Sequence, residues 1–458
     1  MSASQIAVLD IGKTNAKLLQ IDANSGEIAW NCEYSYQCRT ADGYRQLPLE
    51  ALEAWLWRSL ADMPGKSAIT HLVPVTHGAA AVLLGADHSA VAMPDYEDPI
   101  YESTRQPYAD ERDSYADTCS PLLPLGLNLG RQLHWLKEQR PASIRDCRAV
   151  LLYPQYWAWR LCGVMACELT SLGCHTDLWR PAQQRFSAYA QRSGWAAHFP
   201  PLRAAQESLG MVNPDVVQRT GINAACRVLC GIHDSNAAYY CHLNAHAESQ
   251  AFAVISSGTC TILMAHGAEL TRLAATRDML ANLDARGGVV ATARFMGGRE
   301  YEVIAGPPEQ RAAATASALQ HVLQQQALAL PSFIPGSGPF PEREGQLLNA
   351  AALSPDQRCA LALLYLALMC ELRLEDLGAS GDIIIDGPLA TDALFGQLLA
   401  ALLPQRPVWR SDARAGIAYG ALALVLGERA PRLHSSRVTA VELAGLADYR
   451  ASWRRRLQ

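Results

Sequence analysis

The chain of 458 residues passes, almost at its middle, through Val228–Ala238, which reads VLCGIHDSNAA. A short apolar run ends at Gly231, and Asp-Ser-Asn follows from position 234, so the stretch predicts a strand and then a helix. Asp234 then lies at the mouth of that helix, where backbone N–H groups and the helix dipole favour its ionised form. It is a candidate general base, although an aspartate at such a turn, taken alone, is more simply a helix cap.

Length and composition predict a compact globular chain of two domains. Hydrophobic residues make up 50% and charged residues 18% of the chain, and 458 residues exceed what one hydrophobic core usually supports. The net charge of −5 has no strong directional meaning. A nucleic-acid partner is not expected, because a protein that binds one needs a basic face. The one basic run, Arg454–Arg456, is interpreted as a solvated tail.

The cysteines and the apolar runs indicate where in the cell the protein is expected. Thirteen cysteines without Cys-x-x-Cys spacing predict reduced thiols, and therefore a cytoplasmic protein. The N-terminus lacks the basic and apolar regions of a secretory signal. The longest apolar run, Cys359–Cys370, is too short to cross a bilayer, so we expect no membrane partner.

The first residues predict three strands with a polar turn after the first. Strands are expected over Ile6–Leu9, Ala16–Ile21 and Glu27–Tyr36, and the turn Asp10–Asn15 carries an acid, a glycine, a lysine and a hydroxyl. Such a turn can bring a phosphate against backbone N–H groups, with the acid facing a magnesium ion through waters. The spacing is not that of a Walker A loop, and a plain polar hairpin is the alternative.

Further along, a strand over Ile69–Val75 ends in Thr-His-Gly at positions 76–78. The segment from Asp95 to Pro124 has no strong periodicity and is predicted to be a long loop, either a binding element or an insertion. Pro181–Gln191 is predicted to be one helix.

The second half repeats the opening pattern. Strands are expected over Ala251–Ile255 and Cys260–Met264, with Ser256–Thr259 as the turn between them. Gly12 and Gly258 occupy matching places, which suggests a duplication with a boundary near residue 246, although two such hairpins can match by chance. Two similar turns directed at one cleft would hold a polyphosphate from both sides.

At this point the order of motifs resembles the FGGY family of carbohydrate kinases, over roughly residues 5–428. Each motif is weak alone, but five in the family's order and at its spacing are a strong signal. They are the Asp-x-Gly turn (Asp10, Gly12, Thr14), the His-Gly after a strand (His77, Gly78), the Gly-x-x-Asp helix start (Gly231, Asp234), the Ser-Gly-Thr turn (Ser257, Gly258, Thr259) and the glycine loop for adenosine (Asp386, Gly387).

The resemblance implies an α/β fold of two actin-like, ribonuclease-H-like domains with the active site in a cleft between them. We expect an N-terminal domain at 1–246 with the sugar-binding segments and the catalytic aspartate, a nucleotide-binding domain at 247–430 and a tail at 431–458. The implied activity is transfer of the γ-phosphoryl group of ATP to a sugar hydroxyl. Phosphoryl transfer needs positioning and charge neutralisation more than covalent chemistry, which backbone donors, a metal and one base supply.

The resemblance also implies roles for individual residues. Asp234 would deprotonate the sugar hydroxyl, and Asp10 would organise Mg²⁺ through water. The remaining implied contacts are with phosphate (Gly12, Lys13, Thr14, Asn15, Gly258, Thr259), with the nucleoside (Gly387, Asp392) and with the sugar (His77, Gly78, Asp95, Asp98, His233).

Three positions depart from the family pattern. Lys13 stands where many members carry a small hydroxyl residue, and it could reach a phosphate or point to water. Pro388 replaces a second glycine and removes one N–H that could face the nucleotide. Asp392 stands near where an asparagine is common.

The pair His233-Asp234 and the double serine before Gly258 are more similar to rhamnulose kinases and their relatives than to xylulose or glycerol kinases. A deoxy-ketohexose such as rhamnulose or fuculose is therefore the favoured substrate. A homodimer is compatible with the sequence, which does not determine the oligomeric state.

Two other classes of function were weighed. An actin-like module could bind or hydrolyse ATP without phosphorylating a sugar, but the mid-chain aspartate and the polar segment after Asp95 favour an acceptor pocket. A metal-hydrolase site could use His71, His77, His233 and Asp234, but their spacing matches no metal motif and such histidines are usually structural.

Overall fold

The computed structural model describes residues 4–246, 250–412 and 416–457. The chain divides into two compact units. The first unit contains the residues up to His246 together with Ala281–Val289 and Gly416–Arg432, and the second contains the other described residues.

Elements of residues 4–246 follow the predicted mixture of strands and helices. The strands are β1 Gln5–Ile11, β2 Asn15–Asp22, β3 Ile28–Ser35, β4 Arg39–Ala41, β5 Tyr44–Gln46, β6 Ile69–Thr76, β7 Ala81–Leu84, β8 Ala90–Ala92, β9 Ala149–Leu152, β10 Trp179–Arg180, β11 Arg185–Phe186, β12 Ser208–Met211, β13 Arg227–Leu229 and β14 Ile232–His233. The α-helices are α1 Leu49–Asp62, α2 Arg105–Glu111, α3 Tyr115–Thr118, α4 Leu129–Gln139, α5 Pro141–Ile144, α6 Tyr153–Cys162, α7 Leu169–Leu172, α8 Ala188–Arg192, α9 Pro214–Thr220 and α10 Asp234–Ala245.

Elements of residues 250–457 continue the same numbering. The strands are β15 Phe252–Ser256, β16 Thr261–His266, β17 Met279–Leu283, β18 Val289–Phe295, β19 Leu328–Leu330, β20 Gln346–Leu348, β21 Asp382–Asp386, β22 Val408–Ser411 and β23 Ser435–Arg437. The α-helices are α11 Gly297–Ala305, α12 Ala316–Gln324, α13 Pro355–Leu377, α14 Pro388–Thr391, α15 Ala393–Leu402, α16 Gly416–Leu426 and α17 Leu446–Arg455.

Each half of the chain builds a mixed sheet with the same strand pattern. In the first sheet the order is β12-β13-β6-β1-β2-β3, with β14 also paired to β6. The pairs β3–β2 and β2–β1 are antiparallel, whereas β1–β6 and β6–β13 are parallel. In the second sheet β18–β16 and β16–β15 are antiparallel, and β15–β21 and β21–β22 are parallel. The predicted duplication of a strand-turn-strand unit is therefore visible as repeated topology.

The second unit is organised around the long helix α13. Ser354 and Gln357 form a capping box at its start, and Gly378 ends it in the left-handed conformation, φ 63°. These residues satisfy terminal backbone groups that the helix itself leaves unpaired. The helix is buried on most sides and packs against α11, α12 and α15.

Two segments from the second half of the chain belong to the first unit. The turn at Ala281–Val289 places Leu283 in a buried cluster with Leu172 and Leu178. Helix α16 packs against α10, and a Cβ on Gly420 would collide with the carbonyl group of Ala237. The small residues of α16 therefore allow this close packing.

The described residues after Pro431, 432–457, are folded. Strand β23 pairs with β22, and Tyr449 and Trp453 of α17 are buried in the core of the second unit. The Trp453 indole donates to the Ala329 carbonyl at 2.7 Å. Arg454 contacts Glu375 at 2.6 Å, so this arginine of the basic run is paired within the unit.

Two predictions of local structure are wrong. The segment from Asp95 to Pro124 is not a plain loop, because it contains a 3₁₀ helix at Pro99–Thr104 followed by α2 and α3. The segment Pro181–Gln191 is not one helix, since a short 3₁₀ turn and β11 precede α8. Both segments are stabilised by tertiary contacts, such as the Asp113 carboxylate that accepts from the N–H groups of Ala188 and Tyr189 at 2.9 and 2.8 Å. No helix in the described part of the chain is long and apolar enough to span a membrane.

Candidate active site

The ends of three parallel strands bring the principal site residues of the first unit together. Strand β6 pairs in parallel with both β1 and β14, and in this register Ile11 and His233 both lie opposite Thr76. Asp10, His77 and Asp234 lie within one residue of this row. Ligand sites of open α/β sheets form at the carboxyl ends of parallel strands, so these residues form the candidate active site of the first unit.

Local geometry explains why the chain turns at Gly231. Its φ is +89°, and a Cβ there would lie 2.6 Å from the Pro74 carbonyl oxygen, so only glycine fits without strain. Helix α10 begins at Asp234 itself, and its N-cap is His233. Asp234 is therefore not the cap that was considered as the simpler alternative. Its side chain is 27% exposed.

Asp10 lies in an unusual electrostatic environment. Burial first, and the nearby charge of Asp234 second, raise the pKa of Asp10 to about 7. A buried Asp10 carboxyl group beside the charge of Asp234 forms a site that a cation would stabilise. The acidic pair therefore fits a divalent metal held through water.

His77 and Gly78 follow the end of β6, and Gly78 lies beside His233, the residue before α10. Burial lowers the pKa of His77 to about 4, although its Nδ1 lies 2.9 Å from the Gly78 carbonyl oxygen. A Cβ on Gly78 would lie 2.9 Å from His233 Nε2 and 3.2 Å from Cys174 Sγ. The glycine thus lets the strand end approach the imidazole of His233.

Lys13 takes a partner that the sequence did not indicate. The ammonium group of Lys13 pairs with the buried Asp95 carboxylate and lies 4.7 Å from the centre of the Tyr96 ring. Arg45 also contacts the Asp95 carboxylate, at 3.1 Å. Burial would raise the pKa of Asp95, but the hydrogen bond and charge of Lys13, with further donors, hold it below its ordinary value.

Asp98, the other acid predicted to contact sugar, accepts from the backbone N–H groups of Ile100 and Arg45. These two bonds occupy both of its carboxylate oxygens. In this structure Asp98 therefore caps the 3₁₀ helix that begins at Pro99.

The first hairpin turn is closed by its own backbone. The Gly12 N–H donates to the Asn15 carbonyl at 2.9 Å, and the Asn15 amide donates to the Thr14 hydroxyl at 3.0 Å. Thr14 and Asn15 are exposed and line a cavity of about 1210 Å³ in the first unit. Asp10 and Asp234 are not among the described residues that line it.

The second hairpin and the glycine loop meet within the second unit. The Ser257 hydroxyl donates to the Asp386 carbonyl at 2.7 Å and accepts from the Leu389 N–H at 2.8 Å. Gly387 has a φ of +75°, and a Cβ there would lie 2.9 Å from the Ser257 hydroxyl. The two motifs predicted to serve the nucleotide are therefore in contact.

The N-terminus of α11 lies against the same turn, which the sequence motifs did not reveal. A Cβ on Gly298 would lie 3.1 Å from the Thr259 Cα and would collide with the Gly258 carbonyl. A cavity of about 370 Å³ is lined by Gly258, Thr259, Gly298, Arg299 and Glu302. The N–H groups of a helix start and the Arg299 side chain favour an anion in this cavity, and Glu302 is the one acidic residue among those that line it.

The two departures near the glycine loop have structural explanations. Pro388 is the first residue of α14, a position where its missing N–H costs no helix bond. Asp392 caps α15, because its carboxylate accepts from the Phe395 N–H at 3.0 Å.

The histidines of the alternative metal-hydrolase site do not all lie together. His71 lies opposite Ile6 near the start of β6, whereas His77 follows the end of that strand. The two histidines are six positions apart along an extended strand, which separates them by roughly 20 Å. Within the described ranges, no three His, Cys, Asp or Glu side chains form a group that could hold a metal ion.

Sequence reasoning did not identify three buried groups beside His233. Cys174 Sγ lies 3.6 Å from His233 Nε2, and the Thr170 hydroxyl accepts from the His233 N–H at 3.1 Å. Glu168 accepts in turn from the Thr170 hydroxyl at 2.7 Å. These residues lie about 60 positions before the central stretch, and no sequence pattern links them to it.

Comparison with known proteins agrees with this architecture. Residues 110–241 match the N-terminal domain of the FGGY family of carbohydrate kinases, and residues 249–434 match the C-terminal domain of carbohydrate kinase FGGY. A carbohydrate kinase from Novosphingobium aromaticivorans is 34% identical, with a TM-score of 0.90 over 100% of this chain and 99% of that one. The gluconate kinase of Lactobacillus acidophilus has a similar fold at 13% identity, with a TM-score of 0.79 over 99% and 96% of the two chains.

A curated relative is similar over a shorter stretch. L-fuculokinase of Haemophilus influenzae is 30% identical over 140 residues, which are 29% of this chain and 28% of that protein. The full-length similarity and the two family models together show that the chain belongs to the FGGY family of carbohydrate kinases. The predicted family, fold class and enzyme class are thereby confirmed.

Proposed function

We propose that the protein transfers the γ-phosphoryl group of ATP to a hydroxyl of a ketose, with Asp234 as the general base. The observation that carries this proposal is the meeting of Asp10, His77 and Asp234 at three adjacent strand ends. Asp234 is partly exposed at a helix start, where it can accept a proton from a bound hydroxyl.

The hydrogen bonds of Asp234 indicate which of its two carboxylate oxygens can accept the sugar proton. Oδ1 of Asp234 lies 2.6 Å from the Ser235 N–H nitrogen and 3.1 Å from His233 Nε2. Among the described residues, none donates a hydrogen bond to Oδ2. In this proposal, Oδ2 accepts the sugar proton while Oδ1 holds the side chain in place.

The phosphates of ATP would lie at both hairpin turns. On the first unit, Thr14 and Asn15 of the hairpin turn would contact phosphate, whereas the Gly12 N–H is already bonded to the Asn15 carbonyl. On the second unit, Gly258 and Thr259, next to the start of α11, would contact phosphate. Gly387 would approach the nucleoside. Asp10 would hold Mg²⁺ through water, and that ion would supply charge neutralisation at the phosphates when bound.

The substrate that we propose is a 6-deoxy-ketohexose such as fuculose or rhamnulose. The similarity to L-fuculokinase supports this class of sugar, as does the pair His233-Asp234. His77, Gly78 and His233 would line the sugar site. Because ATP and such sugars are available in the cytoplasm, we expect the enzyme to act there.

The test is ADP release from ATP with a panel of ketoses and polyols, for the wild type and for Asp234→Asn. The variant should still bind a nucleotide by calorimetry but should lose roughly 10²–10⁴-fold in kcat, because the base is absent while the phosphate donors remain. Asp87→Asn, at a turn outside the site, is the matched control and should behave as the wild type.

Near-normal transfer by Asp234→Asn would remove this residue from the mechanism. ATP turnover that is indifferent to every sugar would favour the actin-like ATPase instead. A higher kcat/KM for glycerol or xylulose than for the deoxy-ketohexoses would overturn the substrate proposal alone.

A further inference from the structure

A cavity in the first unit lies beside the first hairpin turn. Its volume of about 1210 Å³ is large enough for a ligand of sugar size. Asp10, His77 and Asp234 are not among the described residues that line it, so the cavity is separate from the strand ends of the candidate active site. We call it the hairpin cavity, and the residues that define its wall are Thr14, Asn15, Tyr34, Tyr36, Ala51 and Tyr156.

One buried side chain in the wall of the hairpin cavity has no partner for its polar group. Tyr156 is 5% exposed, and its hydroxyl forms no hydrogen bond with the described residues. Its ring packs against the rings of Trp157 and Trp159, at centre distances of 5.2 and 5.8 Å. An unpaired hydroxyl on a buried side chain is unfavourable, so a ligand that offers it a hydrogen bond would be stabilised there.

The charges in the wall favour a neutral ligand with hydroxyl groups. Glu53 is paired with Arg160 and accepts from the Trp57 indole at 3.0 Å. Among the described residues, no ion pair involves the two other charged residues of the wall, Arg39 and Glu50, which have opposite signs. An anion would meet Glu50 and a cation would meet Arg39, whereas sugar hydroxyls can accept from the arginine and donate to the glutamate.

Amides and a helix start complete the wall. Asn15, Gln37 and Gln46 line the cavity and supply both donors and acceptors. Helix α1 begins there without a side-chain cap, so the N–H groups of Glu50 and Ala51 are further donors. Together with the tyrosine rings, these groups suit a ligand that has both apolar C–H faces and many hydroxyls, which is the chemistry of a sugar.

Tyr36 joins the wall of the hairpin cavity to the first hairpin turn. Its backbone N–H donates to the Thr14 carbonyl at 2.9 Å, and its hydroxyl donates to the Gly12 carbonyl. Thr14 and Asn15 of this turn are themselves part of the wall. A ligand in the cavity would therefore contact the turn directly and hold it in one geometry.

We propose that the hairpin cavity is a second binding site, which takes a neutral sugar or polyol and whose occupancy strengthens ATP binding through Thr14 and Asn15. The site itself is supported by the cavity, the unpaired Tyr156 hydroxyl and the balance of charge in the wall. The effect on ATP rests on the proposed function, because it requires that the first hairpin turn contacts phosphate.

The second site is tested by equilibrium dialysis of the full chain with radiolabelled L-fuculose, D-fructose or xylitol, in the absence of nucleotide. Ala51 is exposed in the first turn of α1, so Ala51→Trp adds an indole to the cavity wall without replacing a buried side chain. For at least one probe this variant should bind one molecule fewer per chain than the wild type. Ala54→Trp, at an exposed position of the same helix outside the cavity, is the matched control and should bind as many molecules as the wild type.

Tyr156→Phe removes only a hydroxyl and should weaken the same binding by about threefold to tenfold. Tyr189→Phe is its control, because the Tyr189 hydroxyl is also buried without a hydrogen-bond partner but lies outside the cavity. The second site is overturned if Ala51→Trp and Tyr156→Phe both bind every probe as the wild type does.

The effect on ATP is tested by calorimetry with a non-hydrolysable ATP analogue, adenylyl imidodiphosphate. The probe that binds should lower the Kd of the analogue about fivefold more in the wild type and in Ala54→Trp than in Ala51→Trp. Equal changes in all three proteins would overturn the effect on ATP.

The two proposals fail in different experiments, because sugar binding is measured without nucleotide. A chain that loses one bound sugar in Ala51→Trp but releases no ADP with any ketose would contradict the proposed function alone. A chain that phosphorylates a ketose while both cavity variants bind sugar as the wild type does would contradict the second site alone.

Discussion

At the scale of single residues, Lys13 lies in a turn for which the family resemblance implies phosphate contacts, but its side chain forms an ion pair within the protein. Its ammonium group pairs with Asp95, whose side chain is fully buried, and Arg45 is the second cation at that carboxylate. Removal of one partner leaves a buried charge less well paired. We expect Lys13→Ala to lower the free energy of unfolding by about 1–3 kcal/mol and to raise the KM for sugar more than the KM for ATP.

Asp95→Asn in the Lys13→Ala background is the matched control, because it removes the charge that Lys13 neutralises. Urea unfolding of the two single variants and the double variant gives the coupling between the residues. A large rise in the KM for ATP with unchanged stability would instead show that Lys13 serves the phosphates, as the family resemblance implies.

At the scale of elements, helix α16 supports the helix that carries Asp234 at its start. Gly420 lies where a Cβ would collide with the Ala237 carbonyl of α10. In an exposed helix, replacing glycine with alanine stabilises the helix by about 1 kcal/mol. At this contact the added methyl group would force the two helices apart, which costs about 1–3 kcal/mol of folding free energy. We therefore expect Gly420→Ala to lower the stability of the first unit and to reduce kcat, as measured by chemical unfolding and by turnover. A gain in stability would show that the contact between the helices tolerates a side chain.

At the scale of the whole molecule, each compact unit has its own sheet and its own buried cluster. We expect calorimetry to resolve two unfolding transitions, because each unit can unfold with its own core. Trp453→Ala removes a fully buried indole and its bond to Ala329, at a cost of about 3–5 kcal/mol. It should lower the transition of the second unit and leave that of the first unit in place, whereas Arg455→Ala on the same helix should change neither. A single unfolding transition that shifts as a whole in Trp453→Ala would contradict the independent unfolding of the two units.

Local sequence patterns were sufficient to predict most of the strands and helices around the motifs and to identify the motif residues. The alternation around Gly12 and Gly258 predicted both strand-turn-strand units, and the run into Asp234 predicted a strand followed by a helix, because these signals involve neighbours in the chain. The same patterns failed for the segment after Asp95, where helices without strong periodicity are stabilised by distant partners.

The sequence by itself determined the family and the α/β fold, and it supplied the residues that we propose for phosphoryl transfer. Only the tertiary structure decided that Lys13 pairs with Asp95, that α11 begins beside Thr259, and that Cys174 lies against His233. The physical reason is that periodicity and turn chemistry act over a few residues, whereas these contacts join side chains that are tens of positions apart. Their partners are set by how the strands and helices pack, which no local pattern specifies.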